Sequence, residues 1–165
     1  MEEVARNAGV SRGSVYRYFP ECAELIDAVL ERAAERFVAQ SRPAVERRRT
    51  LAAQVGEAAA FIRAHLHDEM MALQLPAERE TLLATLLTAR VGGLVDRWVT
   101  FWLPFLEEAE ARGEVRPGLD RREAAEWIVR ALVSLAVMPS AVIDLDEPAA
   151  VRAFVQKYIV KGLGG

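Results

Sequence analysis

The sequence is poor in cysteine, with Cys22 as the single thiol in 165 residues. One thiol excludes a disulfide within the chain and any zinc site that needs several cysteines. Long apolar runs are also lacking, because charged residues interrupt each stretch that could otherwise span a bilayer. No N-terminal signal pattern is present. These absences predict a cytoplasmic protein without a membrane partner.

Patterns typical of catalysis are equally scarce. Gly92-Gly93 lacks the neighbouring residues of a phosphate-binding loop, and no set of serine, histidine and aspartate has an interpretable spacing. His65 and Glu69 lie four residues apart and could share a helix face that holds a metal, but a polar helix end is the better explanation. A small helical enzyme based on this pair is the least supported hypothesis. We therefore expect no enzymatic activity, no metal site and no cofactor.

Acidic residues are missing from one segment, between Val4 and Pro20, which contains Arg6, Arg12 and Arg17. The whole chain has a formal net charge of −3, so it is not a generally basic nucleic-acid binder. A basic segment on a slightly acidic body suits DNA that binds on one side only.

The same segment has the pattern of a helix-turn-helix. Ala5 is small enough for two helices to approach closely, and Gly9 can adopt the positive φ of a tight turn. Ser11 is a good N-cap for the second helix, and Val15 is expected to anchor that helix in the core. We also expect Val10 to point toward the core. The outward groups would then be small, hydroxyl-bearing, aromatic or basic, which suits base edges and phosphates: Arg12, Gly13, Ser14, Arg17 and Tyr18.

The stretch AGVSRGSVYRYF, followed by a helix containing ELIDAVLERAAERF, resembles the TetR family of bacterial regulators. The resemblance implies a dimeric, all-helical repressor that a small ligand releases from DNA. It also implies DNA contacts at the positions where relatives touch DNA, which here are Ser11, Arg12, Ser14, Tyr16 and Tyr18.

Two departures from the family pattern bear on DNA binding. Relatives carry a lysine three residues after the phenylalanine as a phosphate contact, whereas here Cys22 stands at that position after Phe19. Relatives also have a full helix before the motif, whereas Met1 stands directly at it, so we expect that first helix to be absent. These departures favour an alternative, a helical small-molecule-binding or dimerisation module without competent DNA binding.

The remaining sequence predicts helices throughout and no convincing alternating strand. We expect helices over about 21–40, 50–67, 68–75, 78–112 and 120–138, and a last helix after Asp146. Ser41-Arg42-Pro43 is an expected break, and Gly92-Gly93 or Pro104 is expected to bend the long helix. The predicted fold is all-α, with a helix-turn-helix DNA-binding domain over 1–42 and a helical ligand-binding and dimerisation domain over 43–165.

Aromatic residues on the long helix suggest an effector site. Four of them recur at helical spacing: Trp98, Phe101, Trp102 and Phe105. Polar and apolar residues of other helices complete the candidate site. Their low charge favours a small hydrophobic or aromatic ligand, although ordinary core or dimer packing explains the same pattern. The candidate ligand-binding residues are Phe61, His65, Met70, Met71, Trp98, Phe101, Trp102, Phe105 and Trp127.

The last two helices are expected to mediate dimerisation. The helix before Pro139 is apolar around most of its circumference, so it needs cover on both sides. Pairing with a second copy as a four-helix bundle is the simplest arrangement. The sequence therefore predicts a homodimeric, ligand-responsive transcriptional repressor, which a small hydrophobic effector releases from a double-stranded DNA operator.

Overall fold

The computed structural model describes residues 1–73 and 91–159, and every regular element in these two ranges is helical. This confirms the all-α class and the N-terminal helix-turn-helix. The helices are α1 (Glu2–Asn7), α2 (Arg12–Tyr18), α3 (Cys22–Glu46), α4 (Leu51–Leu73), α5 (Val91–Ala111), α6 (Arg121–Val137) and α7 (Pro148–Phe154), and a π-helical turn over Val155–Ile159 follows α7.

Internal contacts divide the chain into two compact units. The N-terminal unit is Met1–Phe37 and the C-terminal unit is Val38–Gly165. The continuous helix α3 contributes residues to both units. The functional division at residue 42 stays a prediction.

The turn between α1 and α2 follows from local chemistry. Gly9 has φ +67°, its N–H donates to the Arg6 carbonyl (3.2 Å), and the Val10 N–H donates to the Ala5 carbonyl (3.0 Å). This pair of bonds is the Schellman ending of a helix, which requires a left-handed residue such as glycine. Beyond the turn, the Ser11 hydroxyl accepts from the Ser14 N–H (3.0 Å) and caps α2 as expected.

Packing of α1 and α2 agrees with the prediction at Ala5 and Val15 and differs from it at Val10. Ala5 and Val15 are buried where α1 contacts α2, as predicted. The expectation for Val10 was wrong, because this side chain is 49 % exposed. Val10 comes directly after the left-handed turn, where the chain has already left α1, so it does not share the buried face of that helix.

Helix α3 does not break where the sequence suggested. It continues through Pro43 to Glu46, although proline lacks the N–H that a helix interior uses. Two residues around Pro43 explain the continuation. Val45 and Ser41 are buried on the inner face of the helix, and the Ser41 hydroxyl donates to the Val38 carbonyl (3.2 Å). Burial of this turn in the core outweighs the cost of one lost backbone bond.

Helix α4 is central to the C-terminal unit. It packs against α6, α7 and the π-helical turn, and α5 packs mainly against α6. The two helices expected over 50–67 and 68–75 are one helix as far as Leu73, and the part of the expected long helix before Val91 lies outside the described residues. The largest fully buried side chains of the described residues come from several elements: Val45, Leu51, Val55, Leu106, Ile128, Val151 and Val155.

Helix ends in the C-terminal unit also follow local signals. Gly113 ends α5 with φ +70°, and Glu114 N–H donates to the Ala109 carbonyl (2.9 Å), a second Schellman ending. Asp120 caps α6, as predicted, by accepting from the N–H groups of Arg122 (2.9 Å) and Glu123 (3.0 Å). The last helix begins one residue later than Asp146 suggested, since Glu147 is its N-cap.

Two sets of arginine contacts connect α4 to other segments of the chain. Glu57 accepts from Arg48 (2.6 and 3.0 Å) and from Arg152 (3.0 and 3.3 Å). Burial raises the pKa of the Glu57 carboxyl, but the hydrogen bonds and positive charges of these two arginines outweigh burial and lower it overall. Separately, Arg63 donates to two backbone carbonyls, those of Ala136 (3.2 Å) and Leu145 (3.3 Å), and pairs with Asp146.

Candidate DNA interface and effector site

The predicted DNA-contacting residues all lie on α2 or on its N-cap. Val15 is the buried residue of α2, and the other residues of this helix are exposed or half-buried. Tyr18 is 76 % exposed and Tyr16 46 %. The other predicted contacts are exposed except for half-buried Ser14: Ser11, Arg12, Gly13 and Arg17.

Ser11 and Ser14 have a structural task in the free protein. Their hydroxyls lie 2.9 Å apart, and Ser11 also accepts from the Ser14 N–H. This arrangement fixes the first turn of α2. The serines therefore position the recognition helix even before any contact with DNA.

Positive charge on this unit is partly compensated by a residue that sequence reasoning missed. Glu2 Oε2 lies 3.3 Å from an Arg12 guanidinium nitrogen, and both side chains are more than 60 % exposed. The segment without acidic residues begins at Val4, so Glu2 stood outside the pattern. Among the described residues, no acidic group pairs with Arg6 or Arg17, which remain available cations.

Cys22 is an exposed free thiol at the first residue of α3. A thiol has no positive charge for a phosphate, so the position at which the resembled family has a lysine contributes no ion pair to DNA here.

The aromatic residues of α5 form a tight cluster in the C-terminal unit. Phe101, Trp102 and Phe105 are buried, with ring centroids 5.2–5.5 Å apart. The Arg42 guanidinium lies 4.8 Å from the centre of the Phe101 ring. These contacts are those of a packed core, which is the alternative that the sequence left open, and the ligand-binding role of the cluster stays a prediction.

Trp98 lies one turn before this cluster and packs against the core. Its indole Nε1 is fully buried, and no acceptor for this N–H is found in the described part of the chain. Buried donors are nearly always paired in folded proteins. Trp98 is therefore the residue of α5 that offers a polar anchor inside an apolar region.

The other predicted ligand residues are only partly brought together. Phe61 and His65 stack on one face of α4, with ring centroids 5.9 Å apart. The side chains of Met70 and Met71 lie outside the described part of the structure. Trp127 is 52 % exposed and lies outside the buried aromatic cluster.

A cleft of about 340 Å³ between α5 and α6 was not anticipated from the sequence. Its lining combines two valines with five charged residues. Asp120 is engaged as the cap of α6, and Asp96 and Glu126 pair with Arg122 and Arg130. The cleft is lined by Val95, Asp96, Val99, Asp120, Arg122, Glu123 and Glu126.

Metal and membrane sites find no support among the described residues. Within 1–73 and 91–159, no group of three or more histidine, cysteine, aspartate or glutamate side chains could hold a metal ion. In the same ranges, each helix is too short or too polar to traverse a bilayer.

The comparison with known families bears on the N-terminal unit. The family model described as bacterial regulatory proteins, tetR family, matches residues 1–29, which cover α1, α2 and the start of α3. No curated protein and no solved structure matches the chain. The matched segment contains the glycine turn, the serine cap and the exposed face of α2. The N-terminal helix-turn-helix of this chain is therefore similar to that of the tetR family of bacterial regulatory proteins, a family of DNA-binding transcriptional regulators.

Proposed function

We propose that this protein is a ligand-responsive repressor that binds double-stranded DNA through α2. The observation that carries the proposal is the solvent exposure of Tyr16, Arg17 and Tyr18 on this capped helix. In helix-turn-helix proteins the second helix enters the major groove with its N-terminal residues at base edges. Tyrosine hydroxyls and arginine guanidinium groups are suited to bases and phosphates there.

The effector is a small hydrophobic or aromatic molecule that binds near the aromatic cluster of α5. Support comes from Trp98, whose buried indole N–H would donate to an acceptor atom of such a ligand. Phe61 and His65 on α4 offer a further aromatic surface of mixed polarity. An apolar site with few polar anchors is the usual form of a small-molecule pocket.

The functional unit is a homodimer that pairs through the last two helices, α6 and α7. Large apolar side chains remain exposed in this part of a single chain, and a second copy that covers them would remove apolar surface from water. A twofold axis would also present two copies of α2 to successive turns of DNA. The exposed side chains are Trp127, Met138, Val142 and Tyr158.

Release from DNA follows from linkage between two binding equilibria. If the effector prefers the arrangement in which the two α2 helices are wrongly spaced, it weakens DNA binding by the factor by which DNA weakens effector binding. Helix α3 is the element that supplies residues to both units. It is the most direct route for such coupling.

Fluorescence anisotropy of labelled DNA tests the proposal. The probe is duplex DNA from the region upstream of the gene, compared with a scrambled duplex at low and moderate salt. We expect tight, sequence-selective binding that weakens steeply as salt rises, since phosphate contacts release counterions. Weak binding that is equal on both duplexes would overturn the repressor and support the alternative, a ligand-binding or dimerisation module.

A further inference from the structure

We infer that Glu2 attenuates DNA binding by holding Arg12 in the free protein. The inference rests on the proposed DNA contact of α2 and assigns a role to a residue on α1. Its basis is the ion pair between the two helices, with 3.3 Å between Glu2 Oε2 and an Arg12 guanidinium nitrogen. An exposed pair of this kind is weak and exchanges readily, so DNA can displace it.

The position of Arg12 explains why an acidic neighbour is accommodated. Arg12 is the first residue of α2, where unpaired backbone N–H groups disfavour a second positive charge. Glu2 lies across the turn and compensates this charge. In a helix-turn-helix the same N-terminal end of the second helix approaches the DNA, so Arg12 is placed to reach phosphates or base edges.

Binding to DNA must therefore replace the Glu2 carboxylate with an acceptor of the nucleic acid. Two effects of Glu2 then oppose binding. Arg12 has to leave its partner, and the carboxylate remains within a few ångströms of the phosphates, well inside the screening distance of about 10 Å at 0.1 M salt. Removing the negative charge frees Arg12 as an additional phosphate-binding cation.

The chain offers a matched control in Glu3. This residue is also exposed, lies on the same short helix and carries the same charge, but the described structure gives it no ion pair with Arg12. The variants E2Q and E3Q therefore change the net charge equally, whereas only E2Q releases Arg12. The difference in DNA affinity between the two variants separates the effect of the ion pair from the effect of general electrostatic repulsion.

The experiment measures the affinity of the wild type, E2Q and E3Q for a random-sequence 30-base-pair duplex between 25 and 150 mM salt, conditions chosen because nonspecific binding is electrostatic. We expect E2Q to bind about three- to tenfold more tightly than E3Q at low salt. Its plot of log affinity against log salt should be steeper than that of E3Q by about 0.9. In E3Q, the Glu2 carboxylate that Arg12 leaves takes up a salt cation and offsets one counterion released from a phosphate, whereas E2Q has no such carboxylate. In an R12Q background, E2Q should raise the DNA affinity no more than E3Q does, because the arginine that Glu2 holds is absent.

Each other outcome overturns the inference. Equal affinities and salt slopes for E2Q and E3Q would show that the pair does not restrain Arg12. Weaker binding by E2Q, with an unchanged circular-dichroism spectrum, would show that Glu2 supports Arg12 in its DNA-bound position. If the wild type and all variants fail to bind any duplex at 25 mM salt, the proposed DNA-binding function fails as well, which separates the two cases.

Discussion

Tyr16 and Tyr18 are exposed on α2 for different reasons. Tyr16 directly follows the buried Val15 and points to another side of the helix, whereas Tyr18 is the last residue of α2 and is 76 % exposed there. Large aromatic side chains exposed on a short helix contribute little to packing. Their contribution should therefore appear in binding and not in stability.

Replacing Tyr18 with alanine tests this division. We expect the affinity for the upstream duplex to fall about tenfold, equivalent to ~1.4 kcal/mol, because an interfacial aromatic group is lost. The melting temperature should stay within about 1 °C of the wild type, since exposed substitutions rarely affect stability. Val15→Ala is the control, because the loss of this buried side chain should lower stability and DNA affinity together. A loss of stability in Tyr18→Ala comparable to the control would identify Tyr18 as a core residue.

The lowered pKa of Glu57 makes the stability of the C-terminal unit depend on pH. Its pKa in the folded protein lies below the ordinary glutamate value of 4.5, since the hydrogen bonds from Arg48 and Arg152 outweigh burial. The unfolded chain therefore takes up the proton first as the pH falls. The stabilisation is complete above the unfolded pKa and is lost as the pH drops through the lower folded value.

Glu57→Gln should consequently destabilise the protein at neutral pH and much less at acidic pH. We expect a loss of ~1–2 kcal/mol at pH 7, reduced because both arginines are partly exposed. Urea unfolding between pH 3 and 7 measures the difference in free energy of unfolding between the variant and the wild type. This difference should become smaller below about pH 4.5. Glu46→Gln is the control, since its exposed pair with Arg42 lies within α3 and should matter little. A difference that is independent of pH would contradict the assignment.

Helix α4 is held in place by polar contacts as well as by its buried face. Arg63 contacts the last turn of α6 and the segment before α7 through carbonyl groups that no helix bond satisfies. The planar guanidinium serves three acceptors at once, which a lysine cannot do with the same geometry. This residue therefore fixes three elements relative to one another.

Arg63→Lys should lower the free energy of unfolding by ~2 kcal/mol, because two buried or half-buried carbonyls lose their donors. Asp146→Asn is the matched control. Its carboxylate is largely exposed, so loss of the ion pair alone should cost less than ~1 kcal/mol. Thermal and chemical unfolding of the two variants measure the contrast. Equal losses would show that the ion pair, and not the carbonyl contacts, holds the segment.

The C-terminal part of the molecule exposes large apolar side chains. Trp127 and Met138 are each more than half exposed in a single chain, although both belong to residue types that are usually covered. In the proposed homodimer a second copy would cover them, and the twofold axis would match a palindromic operator.

Trp127→Glu should convert the protein to a monomer without unfolding it. A charge at the centre of an apolar interface is strongly disfavoured when it has no partner. Light scattering coupled to size-exclusion chromatography measures the mass, and circular dichroism checks the helix content. Thr100→Glu introduces the same charge at an exposed position of α5 and should remain dimeric. A Trp127→Glu protein that keeps the wild-type mass would place the interface elsewhere.

Features that depend on neighbours in the chain were predictable from the amino-acid order. Gly9 and Gly113 end helices, and Ser11 and Asp120 begin them, because the groups that each one satisfies lie within five positions. The helix-turn-helix, the exposed face of α2 and the all-helical class follow from such short-range chemistry. The similarity to the tetR family, whose family model matches residues 1–29, rests on the same segment.

Features that depend on distant neighbours were settled by packing. Pro43 stays inside α3 because the turn around it is buried, and Trp102 is 2 % exposed while Trp127, of the same residue type, faces solvent. Glu57 meets Arg152 across 95 positions of sequence, and Glu2 meets Arg12 across the turn. Periodicity identifies an apolar face but not its partner, since burial depends on which elements meet in three dimensions.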